Sequence, residues 1–100
     1  MNILKINGGK VEMRSTSGSL IRVVGNGDAV NAELSRDGKL VLITTNQGKV
    51  EIRQETGSLI RTIGNGDAVN AKFHENDIMV YTKSGKMELR KDHGSLIRVL

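Results

Sequence analysis

The chain has 100 residues, 37% of them apolar and 26% charged, with a formal net charge of +4 and no cysteine. That length and balance fit one small globular domain, and the missing cysteines exclude disulfides and thiolate metal ligands. The first residues, MNILKINGGK, hold no apolar run of signal-peptide length, and no segment is apolar enough to span a bilayer as a helix, so a cytoplasmic protein is expected.

Taken in order, the chain reads as short strands divided by turn residues. Ile3 to Ile6, Val11 to Arg14 and Leu20 to Val24 make the first group. Val30, Ala32 and Leu34 then alternate with Asn31 and Glu33, a period of two, and Arg36-Asp37-Gly38 turns the chain. Leu40 to Ile43 is continuously apolar, as in a strand buried on both faces. Asn46-Gln47-Gly48 turns again, Val50 and Ile52 alternate with Lys49, Glu51 and Arg53, and Glu55-Thr56-Gly57 leads into Leu59 to Ile63. The same order returns in Ala68 to Phe73, Ile78 to Thr82, Lys86 to Arg90 and Leu96 to Leu100. Helical periodicity is nowhere sustained, so the fold class is all-β.

These groups are copies of one unit. Residues 9–32 match residues 48–71 at 18 of 24 positions, and a third copy starts at Gly85. The GSLIR segments begin 39 and 37 residues apart, and the shorter turn His74-Glu75-Asn76-Asp77 accounts for the difference. A fixed period of about 20–50 residues marks a repeat architecture. The division expected is about 1–25, 26–64 and 65–100, with eleven strands in all and no innermost strand in the first unit.

The run GK-V-E-I-R, TGSLIRTI, GNGDAVNA and Ser-Arg-Asp-Gly-Lys resembles the repeat of WD-repeat β-propellers. The resemblance covers nearly the whole chain and implies blades of four-stranded antiparallel sheet. The Trp-Asp pair of that family is replaced by Arg14-Ser15, Arg53-Gln54 and Arg90-Lys91, and its Gly-His pair by Gly25-Asn26 and Gly64-Asn65. The family's hydrogen-bond tetrad is therefore absent. Propellers run about 4–8 blades, and three leave two apolar end faces open. A cyclic homo-oligomer closing the ring is therefore expected, a dimer first and a trimer second.

The functional candidates lie in repeated polar positions. The loops Gly25-Asn26-Gly27-Asp28 and Gly64-Asn65-Gly66-Asp67 could bind a protein or a small polar ligand, with Asn26, Asp28, Asn65 and Asp67 as the binding side chains. Their plainer role is structural, Asp28 and Asp67 capping turns through nearby backbone N–H groups. Asn31 and Asn70 should face a central channel, lining a water-filled space or, as further binding residues, contacting a ligand there. Glu12 opposite Arg22, Glu51 opposite Arg61 and Glu88 opposite Arg98 would form a cross-strand ion-pair ladder, with the apolar residues on the other face. His74 and His93 sit in turns without an oriented partner, and no nucleophile, phosphate-loop or zinc spacing occurs, so neither catalysis nor a cofactor or metal is expected. With one Tyr, one Phe and no Trp, and with basic residues alternating with acids, nucleic acid is a poor fit. The expected function is a non-catalytic scaffold or binding platform. The alternative is a sugar- or Ca²⁺-binding module on the GNGD loops, against which the scarce aromatics and few ligand oxygens stand.

Overall fold

The computed structural model describes residues 2–100. Three antiparallel sheets follow one another along the chain. The first holds β1 (Ile3–Asn7), β2 (Lys10–Arg14) and β3 (Leu20–Val24). The second holds β4 (Ala29–Leu34), β5 (Leu40–Thr45), β6 (Val50–Gln54) and β7 (Leu59–Ile63). The third holds β8 (Ala68–His74), β9 (Asp77–Thr82), β10 (Met87–Lys91) and β11 (Leu96–Val99). Each is a meander in which strands adjacent in sequence are adjacent in space, and no helix is present among the described residues.

Two of the hairpins are as short as hairpins come. Asn7 pairs with Lys10 around Gly8-Gly9, whose φ values of 58° and 84° suit the primed turn that matches strand twist. His74 pairs with Asp77 around Glu75-Asn76, where the β4–β5 connection spends five residues, Ser35 to Lys39. Glu75 has a φ of 57°, the one positive value at a non-glycine among the described residues.

The sheets stack face to face. Val11, Met13 and Val24 of the first sheet pack on Ala29, Val41 and Ile43 of the second. Leu42, Val50, Ile52 and Ile63 of the second pack on Ala68, Ala71, Ile78 and Val80 of the third. Strand β5 therefore sends Val41 and Ile43 one way and Leu42 the other, all 0–1% exposed. This both-sided burial is why its sequence is apolar without alternation. The result is a propeller-like all-β stack.

The outer faces of the stack differ from the inner ones. On the first sheet, Ile3 and Lys5 lie opposite Arg14 and Glu12 and look away from the second sheet. On the third, Met79 and Tyr81 lie opposite Leu89 and Met87, and all four look away from the second sheet. Leu100, 61% exposed, exchanges backbone hydrogen bonds with Met87 beside them.

Candidate functional site

The cross-strand ladder is not formed in the expected register. Glu12 lies opposite Val23, and Arg22 opposite Met13. Likewise Glu51 faces Thr62 and Glu88 faces Val99. A register shift between Met13 and Arg14, repeated at Ile52/Arg53 and Leu89/Arg90, lets two residues on one strand oppose one on the other and displaces the pairing. Arg22, Arg61 and Arg98 are exposed. The acids bond instead to an arginine two residues along their own strand, where alternation brings both to the same face.

Arg53 Nε donates to Glu51 Oε1 at 3.0 Å, and its Nη1 donates to the Gly57 carbonyl at 2.8 Å. Arg90 repeats this with Glu88 and Gly94 at 3.0 and 2.8 Å. Both guanidinium groups lie buried between sheets, their side chains only 10% exposed. Arg14 bonds Glu12 and the Gly18 carbonyl in the same way, but no sheet covers it, and 29% of its side chain is exposed. Hydrogen bonding by Arg14 holds the Glu12 carboxyl below its ordinary value of 4.5 against an opposing desolvation, with help from Asn7 and Lys5.

The GNGD loops carry the chain from one sheet to the next and are held by backbone. Ala29 N donates to the Gly9 carbonyl of the preceding sheet at 2.9 Å, and Asn46 N donates to the Asp28 carbonyl at 2.8 Å. The second loop repeats both bonds, Ala68 N to Gly48 O at 3.0 Å and Lys83 N to Asp67 O at 2.9 Å. The side chains do not cap these turns as the sequence suggested. Asp28 Oδ1 and Asp67 Oδ1 are buried without a hydrogen-bond partner. Asn26 and Asn65 are exposed at the loop tips.

Asn31 and Asn70, half-buried on β4 and β8, meet: Asn31 Nδ2 donates to Asn70 Oδ1, which also accepts from Ala71 N at 2.8 Å. Nearby, Glu33 Oε1 accepts from Phe73 N at 2.7 Å and ties β4 to β8. Among the described residues no three His, Cys, Asp or Glu side chains gather as metal ligands would, and no helix is long and apolar enough to cross a membrane. What the site residues build is an interface: a repeated surface in which a GNGD loop joins each sheet to the next and an Arg–Glu pair lies buried between them.

No protein-family profile and no curated protein matches the sequence. Among solved structures, the chain superimposes on a chain of the crystal structure of the mitotic checkpoint complex, with a TM-score of 0.81 and 16% identity. The match covers 98% of this chain and 34% of that one, so the chain spans about a third of its neighbour's length. At that identity the likeness is one of fold.

Proposed function

We propose that the chain is a non-catalytic protein-binding scaffold that docks copies of itself head to tail. The outward face of the first sheet in one copy would meet the outward face of the third sheet in the next, closing a ring of two chains or, second, three. The observation that carries this reading is the Arg14–Glu12 pair, left 29% exposed at its arginine where the two equivalent arginines are 10% exposed between sheets. The first sheet holds out the polar half of a junction built twice within the same chain. The third sheet presents the apolar half: Met79, Met87 and Leu89 stand where the second sheet buries Leu42, Val50 and Ile52 against the third, with Tyr81 beside them. Heterologous surfaces of this kind close into rings when the rotation permits.

The fold likeness to a chain from a protein complex agrees with a scaffold role. The test is a charge on the apolar face. Leu89→Glu should return an assembled protein to single folded chains, whereas an unchanged mass would remove this face from the interface.

A second reading, a Ca²⁺-binding module on the GNGD loops, has the unpaired Asp28 and Asp67 oxygens in its favour. Each loop brings one carboxylate, far from the roughly 6–8 oxygens the ion takes. A melting temperature that does not move when CaCl₂ replaces EDTA would set it aside.

A further inference from the structure

The GNGD loops and the turns after β5 and β9 are bonded together at one rim of the stack. At the other rim the structure has a groove of about 960 Å³. Its walls include Arg36 and Asp37 of the five-residue turn after β4, and Glu75 and Asn76 of the two-residue turn after β8. The shorter turn projects less than its neighbour, which leaves the recess between them. Half-buried Leu34, Leu40 and Phe73 form an apolar floor, with Ile78 buried beneath them.

The charge of this groove is opposite to that of the chain. Among the described residues, Glu33, Asp37, Glu75 and Asp92 line it with one cation, Arg36, on a protein whose net charge is +4. Two of the acids are braced from within. Glu33 Oε1 accepts from Phe73 N, and Asp37 Oδ1 accepts from Ser35 Oγ at 2.6 Å and Lys39 N at 3.0 Å. Glu75 and Asp92 are exposed at the edge, the latter 3.6 Å from His93 Nδ1.

We infer that the groove receives an extended basic peptide segment, with one large apolar side chain seated on the Leu34–Phe73 floor and Lys or Arg side chains reaching the four carboxylates. The apolar floor gives the peptide an anchor, and the surrounding carboxylates select its charge and speed its approach. Its volume lies at the upper end of the roughly 300–1,000 Å³ typical of small-ligand sites, and it is partly open to solvent, as a peptide requires. All the residues that line the groove come from one chain.

The experiment is selection from a phage-displayed library of random dodecapeptides on the whole chain, followed by fluorescence anisotropy of the enriched peptides. Sequences with Lys or Arg flanking Leu, Phe or Trp are expected. Glu75→Lys with Asp92→Lys should weaken their binding about tenfold or more, and Arg36→Gln should tighten it several-fold. All three side chains are exposed, so the fold survives, which circular dichroism verifies. Raising NaCl from about 0.05 to about 0.5 M should also weaken binding. Enrichment of acidic or uncharged sequences, binding indifferent to the lysine variants, or no enrichment at all would overturn the inference.

Discussion

Gly48 approaches Gly66 so closely that a Cβ on Gly48 would lie 2.2 Å from the Gly66 carbonyl oxygen. Gly9 stands in the same relation to Gly27, again at 2.2 Å, whereas a Cβ on Gly85 would meet nothing within 4 Å. All three have φ between 81° and 86°, so an alanine carries the same left-handed strain at each. Gly85→Ala should therefore cost only about 1–2 kcal/mol. Gly48→Ala adds a clash with backbone at the sheet junction and should cost at least twice as much. Chemical denaturation of the two variants reads the difference, and equal losses would mean that the close approach does not hold the sheets together.

Arg53 and Arg14 make the same bonds at different depths. Arg53→Ala leaves Glu51 buried without a counter-charge and Gly57 without a donor, a loss of about 3–5 kcal/mol. Arg14→Ala removes an arginine that is itself partly open to solvent, on a face that no sheet covers, and within a single chain should cost less than Arg53→Ala. In an assembled protein the Arg14 variant should become the more costly, and a dilution series of melting curves checks this.

Two carboxyls titrate below their ordinary values. Ser35 and the Lys39 backbone hold Asp37 below 3.8, and Arg14 holds Glu12 below 4.5. A folded-state value depressed below the unfolded one gives stability that is present above the unfolded value and lost as pH falls through the folded one. The melting temperature should therefore fall as pH drops below the ordinary carboxylate range. Ser35→Ala should flatten the part of that fall due to Asp37, and Asp37→Asn should abolish that part.

Glu75 bears a side chain at a φ of 57° where glycine is at ease. Glu75→Gly should stabilise by up to about 1 kcal/mol, the relief of left-handed strain exceeding the entropy glycine adds to the unfolded chain. For a domain of this size 1 kcal/mol corresponds to about 4–8 °C in melting temperature. A lower melting temperature would show that the turn depends on the Glu75 side chain.

The strands were legible because the unit recurs: the same alternation between the same turns, read three times, separates pattern from accident. The short β8–β9 turn was visible as two missing residues. The ion pairs were misread because the GSLIR hairpins carry a bulge, and a bulge leaves no mark in a residue pattern. Yet the signal for the true partners was there, as Glu-x-Arg in GKVEMR, GKVEIR and GKMELR, since residues two apart on a strand share a face. The role of the GNGD loops was masked by their side chains, because backbone bonds and the approach of two glycines hold the junction. The groove was beyond reading, since it depends on turns of different length meeting side by side.

The most direct test of the account is the solution mass of the unmodified chain, by light scattering during size exclusion. The head-to-tail reading predicts a monodisperse species at two or three times the 10.9 kDa of one chain. A stable species at 10.9 kDa across the concentration range would contradict it.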